Sequence, residues 1–190
     1  MSLRILGIDP GSVICGYGVI DVSGADMTIV EYGVVALKRT SLSFPGRLRE
    51  IHSRLSAVIE RTNPNVCAIE KMFYAKNVLS LTQLAHARGV AMLACAQAGH
   101  DPIEYTPMQV KRSVTGRGAA PKEQVQHMVR AILSMEETPE FFDATDALAV
   151  AICHAVNGGP PEKLKRGGAT SKRQAWKDFV EKNPSRVKKS

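Results

Sequence analysis

The stretch that decides the fold is Leu3-Arg4-Ile5-Leu6-Gly7-Ile8-Asp9-Pro10-Gly11, an apolar run that ends in an acid and a turn. Apolar, β-prone residues followed by Pro and Gly predict a strand that stops at Asp9. Two further segments, Cys15–Ile20 and Ile29–Leu37, continue as strands on either side of a turn at Ser23-Gly24. Three strands in succession are an order that a doubly wound nucleotide-binding fold does not predict.

Beyond residue 44 the predicted helices and strands alternate, so the chain reads as an α/β or mixed α+β sheet covered by helices. The helices are indicated by apolar residues at helical spacing and by Pro or Thr at their starts, and the strands by short apolar runs between turn signals. In chain order we predict a helix from Phe44 to Asn63, a strand over Val66–Glu70, a helix over Asn77–Gln97, a strand over Pro102–Thr106, a helix with Pro121 in its first position, and a last helix that starts at Thr138-Pro139-Glu140.

Composition predicts one globular domain with an appendage. The chain has 190 residues, 44% hydrophobic and 23% charged, which suits a packed core rather than disorder. No apolar run approaches the roughly 18 residues of a membrane span, and the first apolar stretch breaks at Asp9, too early for a signal peptide. The four cysteines are far apart in the sequence, which argues against a zinc knuckle and against a secreted disulfide framework. We therefore expect a cytoplasmic protein.

The formal net charge of +7 belongs to the end of the chain. Gly158–Ser190 holds ten basic and three acidic residues, whereas the preceding part holds fifteen of each. A Gly-Pro-rich boundary separates the two, so we predict a body over 1–157 and a basic tail over 158–190. Within the tail, Ser171–Lys182 can form a short amphipathic helix. A basic tail is most often a solvated appendage, and charge within the body is the more useful signal.

Two acids stand at the ends of predicted strands. Asp9 ends the first and Glu70 ends the fourth. If these strands are parallel neighbours, both acids emerge at the carboxyl edge of the sheet, where open sheets commonly bind ligands. The alternatives are an ordinary turn residue for Asp9 and a solvated side chain for Glu70.

Two more acids, Asp143 and Asp146, lie in Phe141–Cys153, a segment that is apolar nearly all round and therefore predicts a buried helix. Aspartates three apart share a face and repel each other, and Asp is a poor helix former. A capping box formed by the pair is the alternative. Because Thr138-Pro139 supplies a better helix start one turn earlier, we favour a functional role.

Four carboxylates in one place resist full ionisation unless cations share the site. Oxygen ligands suit Mg²⁺ or Mn²⁺, and two such ions neutralise four carboxylates. A pair of these ions about 3.5–4 Å apart clamps the attacking and leaving oxygens of a phosphodiester. Asp9, Glu70, Asp143 and Asp146 therefore predict metal-dependent phosphodiester hydrolysis with two Mg²⁺ per site.

Basic residues flank these acids, as contacts to a nucleic-acid backbone require. Lys71–His100 contains three basic residues, including Arg88, and no acid, and Tyr105–Lys122 contains four and no acid. Exposed Lys and Arg are common, so each residue taken singly is equally well explained as a solvated side chain. From these stretches we take Lys76 and Arg117 as candidate DNA contacts.

With these residues in view, the body resembles the RuvC family of Holliday-junction resolvases. Gly-Ile-Asp-x-Gly alone is a weak signal, but several blocks in the family's order together with all four acids are specific. The matching blocks are Gly7–Gly11, Ala68–Glu70, Ala75–Asn77, Ala87–Ala91, Gln124–Val129 and Asp143–Ala149.

The resemblance implies an RNase-H-like fold with a five-stranded mixed β-sheet flanked by helices. It also implies a homodimer that cuts two opposed strands of a four-way DNA junction in recombination and repair, leaving 5′-phosphate and 3′-hydroxyl ends. Branch-migration proteins of the RuvA and RuvB type are the implied partners.

The resemblance assigns roles residue by residue. The four acids match metal-binding carboxylates, although some relatives carry His in place of Asp143. Lys111 and Lys122 match lysines near the scissile phosphate. Phe73 matches an aromatic that stacks at the junction centre, and Tyr74 beside it either shares that role or packs in the core. The small residues of Asn77–Gln97 either form the dimer contact or pack against the sheet.

Three other classes compete with this interpretation. Actin-like ATPases share the Gly7–Gly11 turn but need a duplicated second half, for which the chain is too short. RNase-H-like nucleases of pre-ribosomal RNA are closer, yet Asp143-x-x-Asp146 and Gln124–Val129 favour RuvC. A DNA-binding module with a vestigial site would be expected to lack one acid, and all four are present.

Overall fold

The computed structural model describes residues 2–38, 40–72, 77–136, 139 and 141–158. Within them five strands and five helices follow one another. In chain order these are β1 Leu3–Asp9, β2 Ile14–Ser23, β3 Asp26–Ala36, α1 Phe44–Thr62, β4 Val66–Glu70, α2 Val78–Gln97, β5 Ile103–Tyr105, α3 Pro107–Thr115, α4 Lys122–Ile132 and α5 Phe142–Gly158.

The strands form one sheet in the order β3-β2-β1-β4-β5. β1, β2 and β3 are antiparallel neighbours, whereas β4 is parallel to both β1 and β5. The sheet is therefore mixed and five-stranded, which confirms the predicted fold class. α1 makes the crossover between β1–β3 and β4, and α2 the one between β4 and β5.

Successive residues of β1 enter two separate hydrophobic clusters, because neighbouring side chains of a strand point to opposite faces. Ile5 joins a cluster with α3, α4 and α5 that includes Val129 and Leu148. Leu6 joins the cluster on the other face, which includes Ile51 of α1 and Ala87 of α2. The sheet is thus covered on both sides, and α5, with ten buried residues, is the buried helix that its apolar pattern predicts.

Glycines let α5 lie directly on the first two strands. A Cβ on Gly7 would lie 2.1 Å from the carbonyl oxygen of Ala147, and one on Gly18 would lie 2.7 Å from the Leu148 side chain. Gly7 and Gly18 are opposite each other in the β1–β2 ladder. Missing side chains on two adjoining strands therefore make a groove for the α5 backbone.

Three local predictions differ from the structure. α3 was not predicted, although Thr106 and Gln109 form a complete capping box around Pro107. Pro121 is the N-cap of α4 rather than its first residue. α5 begins at Phe142, so a start at Thr138-Pro139-Glu140 is wrong; Thr138 and Glu140 themselves lie outside the described residues.

Within the described ranges, α2 is the one helix that is long and apolar enough to cross a membrane. That is weak evidence, since helices of globular cores meet the same criteria. α2 packs on α1, with Ala87, Ala91, Ala94 and Cys95 buried in their shared cluster.

The groove predicts that Gly7→Ala is strongly destabilising. Its new methyl would meet the backbone of Ala147 and the Ala151 nitrogen, at 2.1 and 2.6 Å, neither of which can rotate away. We expect the free energy of unfolding in urea to fall by roughly 1–3 kcal/mol, as for overpacked cores.

Gly46→Ala is the matched control. Its Cβ would meet nothing closer than the Ser43 hydroxyl, at 3.4 Å. Because Gly46 lies in a helix, Ala should leave stability unchanged or raise it by up to about 1 kcal/mol. Equal stability of the Gly7 and Gly46 variants would contradict the close contact.

Candidate active site

The sheet brings the first two predicted site residues to one edge. Asp9 is the last residue of β1 and Glu70 the last of β4. The two strands are parallel, and Ile8 is paired with Ile69 one residue earlier in each. The expectation that both acids emerge at the carboxyl edge of neighbouring parallel strands is therefore confirmed.

α5 brings the other two acids to the same place. A Cβ on Gly16 would lie 1.9 Å from the carbonyl oxygen of Asp143, so the start of α5 touches β2 at Gly16. Gly16 is the residue paired with Asp9 across the β1–β2 ladder. Asp143 therefore enters beside Asp9, and Asp146 follows one helical turn later.

Burial and mutual repulsion make these acids hard to ionise together. Burial, followed by the charges of Glu70, Asp146 and Asp143, raises the pKa of Asp9 well above its usual value. Burial and Asp146 raise the pKa of Glu70, while a hydrogen bond with Asp9 acts in the opposite direction. Burial also raises the pKa of Asp146, against the attraction of Lys122. The charges of the other three acids thus all act on Asp9.

Two lysines offset part of this negative charge. Lys122, the first residue of α4, places its Nζ 3.2 Å from Oδ2 of Asp146. The attraction of Asp146 is the main cause that raises the pKa of Lys122, so its ammonium stays charged. Lys111 of α3 lowers the pKa of both Glu70 and Asp146, which places its charge within range of the same acids.

Of the remaining predicted DNA contacts, the structure describes Arg117. Arg117 is exposed in the loop between α3 and α4, where its backbone N–H donates to the hydroxyl of Thr115. Phe73, Tyr74 and Lys76 lie outside the described residues, in the segment that follows β4.

A cleft of about 170 Å³ opens at the acidic edge. Besides Asp9 and Glu70 it is lined by Pro10, Lys71, Met72, Leu84 and Pro107. A larger cavity of about 490 Å³ lies elsewhere, between the C-terminal parts of α1 and α2. The smaller cleft is the better candidate site, because it is the one that adjoins the mutually repelling carboxylates.

The donor set fits a hard divalent cation, but the acids are not drawn into a tight centre. Among the described residues no three His, Cys, Asp or Glu side chains are grouped closely enough to hold a metal ion. Lys122 engages one oxygen of Asp146 in place of a cation. The donors are all carboxylate oxygens, which suits Mg²⁺, Mn²⁺ or Ca²⁺ better than zinc.

Sequence reasoning missed the residues that allow this convergence. Gly16 has no reactive group, yet it lets the Asp143 backbone approach β2. Its signal was visible as the alternation Gly16-x-Gly18, which leaves one face of a strand without side chains. Leu84 and Pro107, which line the cleft, have no sequence signal that separates them from ordinary core residues.

Comparison with known proteins agrees with this geometry. The family model described as crossover junction endodeoxyribonuclease RuvC matches residues 5–154. Proteins of that name from Cytophaga hutchinsonii and Pelobacter propionicus are 40% and 46% identical to the chain. The first alignment covers 97% of this chain and 88% of the relative, the second 93% and 99%.

Solved structures include one relative of the same family and one more distant protein that shares the fold. Thermus thermophilus RuvC in complex with a Holliday junction substrate aligns with a TM-score of 0.77 and 33% identity, covering 82% of this chain and 94% of that one. The yeast mitochondrial Holliday junction resolvase Ydc2, at 15% identity and a TM-score of 0.60, shares the fold over 80% of this chain and 77% of its own. Together with the family model, these matches show that the chain belongs to the RuvC family of crossover junction endodeoxyribonucleases.

Proposed function

We propose that the protein is a structure-specific endonuclease that resolves four-way DNA junctions by hydrolysing one phosphodiester in each of two opposed strands, in recombination and repair. The observation that carries this proposal is the convergence of four acids and two lysines at one sheet edge, in a member of a junction-nuclease family. A negative pocket with basic neighbours suits a cation-assisted attack on a phosphate.

The proposed metal ligands and catalytic carboxylates are Asp9, Glu70, Asp143 and Asp146. Bound there, two Mg²⁺ ions, or Mn²⁺ in their place, would make water nucleophilic and stabilise the departing oxygen. The raised pKa values of Asp9, Glu70 and Asp146 support this assignment, because cations relieve the repulsion that raises them.

Lys122 and Lys111 are proposed to hold the scissile phosphate. Lys122 Nζ lies 3.2 Å from Oδ2 of Asp146, so a phosphate bound to cations that these acids hold would be within reach of its ammonium. Lys111 acts on Glu70 and Asp146 from the neighbouring helix. Positive charge there stabilises the charge that develops on the phosphate oxygens.

Lys76 and Arg117 are proposed to contact the DNA backbone, and Phe73 to stack on bases at the junction centre with Tyr74 beside it. The exposure of Arg117 in the α3–α4 loop supports its part. For the three residues of the segment after β4, support comes from their place directly after Glu70 and from the family resemblance.

A homodimer is proposed to present two such sites to two opposed strands. α2 supports this, because small residues divide between its two sides. Ala87, Ala91 and Ala94 are buried against the rest of the chain, whereas Ala85, Gly89 and Ala96 are exposed beside Leu93, which is 50% exposed. An exposed stripe of small and apolar residues permits a second α2 to approach closely.

The cellular setting is part of the same proposal. We propose that the enzyme acts in the cytoplasm, at the nucleoid, on junctions supplied by branch-migration proteins of the RuvA and RuvB type. The bacterial origin of the relatives supports this setting.

The decisive experiment compares a synthetic four-way junction, linear duplex and RNA–DNA hybrid with Mg²⁺. We expect symmetric nicks on the junction, and a cruciform plasmid should be linearised in one binding event. Asp143→Asn should lower the cleavage rate by more than about 100-fold, beyond the loss typical of outer-shell partners, while junction binding survives. Asp26→Asn, an exposed acid at the start of β3, is the control and should cut normally.

Binding by the intact protein without cleavage at any Mg²⁺ or Mn²⁺ concentration would rule out the nuclease. Preferential cutting of the hybrid would assign the chain a different activity within the same fold.

Asp9→Asn should raise stability in metal-free buffer at neutral pH. Because the folded-state pKa of Asp9 lies above its unfolded value, stability is lost as pH rises through that folded pKa. Asn removes this cost, and we expect a gain of about 1 kcal/mol or more, roughly 2–4 °C in Tm for a chain of this size.

Two controls accompany the thermal scans. The advantage of the Asn variant should shrink as pH falls below the folded pKa, where Asp9 itself is protonated. Mg²⁺ should raise the Tm of the wild type more than that of the variant. A variant that is less stable than wild type at neutral pH would contradict the repulsion.

Removal of residues 159–190, just after the end of α5, should leave junction cleavage intact at saturating protein. All six residues of the proposed centre precede the cut, although the removed segment carries the charge excess. Loss of cutting at saturation would show that the tail completes the site. A lower junction affinity at physiological salt, with cutting intact, would assign the tail to DNA binding.

A further inference from the structure

The peptide that directly follows Glu70 is held from both sides. Its N–H, that of Lys71, donates to the carbonyl oxygen of Tyr105 at 2.7 Å. Its carbonyl, that of Glu70, accepts a long hydrogen bond of 3.4 Å from Nε of Arg88. β4 ends at this peptide, and the segment assigned to DNA contacts starts two residues later. Its orientation therefore sets the direction in which the Glu70 side chain leaves the sheet.

The Arg88 guanidinium also binds a residue of β5, through its Nη2 nitrogen. Its NH2 group forms an ion pair of 2.9 Å with Oε2 of Glu104, and the Nζ of Lys71 lies 3.8 Å from the same oxygen. Glu104 is paired with Ile69 in the β4–β5 ladder, one residue before Glu70. One arginine of α2 thus joins the ends of two strands.

This arrangement changes the interpretation of Arg88 as one of the basic flank residues. Its side chain is only 18% exposed, against 48% for Lys71, and two of its three guanidinium nitrogens, Nε and Nη2, have partners within the protein. A phosphate contact needs outward-facing N–H groups. Arg88 is turned inward, toward the backbone of a proposed metal ligand.

We infer that Arg88 and Glu104 are positioning residues, which hold the end of β4 so that the Glu70 carboxylate faces Asp9 and the metal site. This inference rests on the proposed function and deepens it. Arginine suits the task because its planar fork bonds a carbonyl and a carboxylate at once, whereas lysine offers one point charge. Outer-shell partners of this kind typically affect metal affinity or activity by 10–100-fold.

The test uses Arg88→Lys, Arg88→Gln and Glu104→Gln in the full chain. We expect single-turnover cleavage of a four-way junction, at saturating protein, to slow by about 10–100-fold. The Mg²⁺ concentration for half-maximal rate should rise, while the junction Kd measured in EDTA stays at the wild-type value. Without DNA, the rise in Tm on adding Mn²⁺ should be smaller than in wild type, a readout independent of activity.

Arg54→Lys is the matched control. Arg54 forms an ion pair of 2.7 Å with Glu50 on the exposed side of α1, away from the four acids of the proposed metal site. The Arg54→Lys variant should match wild type in all four measurements. If Arg88→Gln fails to fold, the charge-preserving Arg88→Lys and the isosteric Glu104→Gln still decide the question.

Specific results would overturn the inference. A wild-type rate and metal dependence for Arg88→Lys would show that charge alone suffices. Weaker junction binding with a shallower salt dependence, at an unchanged saturated rate, would make Arg88 a phosphate contact. A lower Tm of all three variants, with unchanged catalysis and an unchanged response to Mn²⁺, would show that Arg88 and Glu104 only stabilise the fold.

The proposed function and this inference fail separately. Absence of cleavage by the wild type would refute the nuclease while the Mn²⁺ effect on Tm still tests the positioning of Glu70.

Discussion

Repulsion among carboxylates gathered at one edge of the sheet is the constraint around which the rest of this structure is arranged. Burial raises the pKa of Asp9, Glu70 and Asp146, and each charge opposes ionisation of its neighbours. Such a cluster is unfavourable for folding, so its members must come from elements held in place by other forces. The sheet ladder supplies that force for Asp9 and Glu70, and the hydrophobic burial of α5 supplies it for Asp143 and Asp146.

Close packing turns these forces into position. Gly7, Gly16 and Gly18 remove side chains from the strand face beneath α5, so helix backbone meets strand backbone. At such distances a helix cannot slide without losing many contacts at once, because protein interiors are packed as densely as organic crystals. Lys122 then offsets one of the acids from outside the sheet. The positions of the acids are therefore determined mainly by contacts between helix and strand backbones.

Sequence patterns anticipated the parts of the structure that follow from periodicity. Apolar runs ending in acids gave Asp9 and Glu70, and an apolar helix with two unexplained aspartates gave α5. α3 escaped because nine residues are too few for a clear period, although its capping box was present at Thr106-x-x-Gln109. The start of α5 was predicted wrongly because Thr138 is a good N-cap by sequence. The position of the helix start is instead set by the contact between Gly16 and the Asp143 backbone, which local sequence does not reveal. Arg88 was grouped with surface charges because its partner Glu104 is distant in sequence and adjacent only in the sheet.

The order of elements along the chain has a consequence for biosynthesis. β1 and β4, with Asp9 and Glu70, emerge from the ribosome well before α5, the last described helix. Domains generally fold as units, so the sheet edge with two acids cannot complete its core before α5 has been synthesised. The groove over Gly7 and Gly18 stays open until α5 docks, and this final step both closes the hydrophobic core and assembles the acidic centre. Completion of the fold and convergence of the four acids are thus the same event.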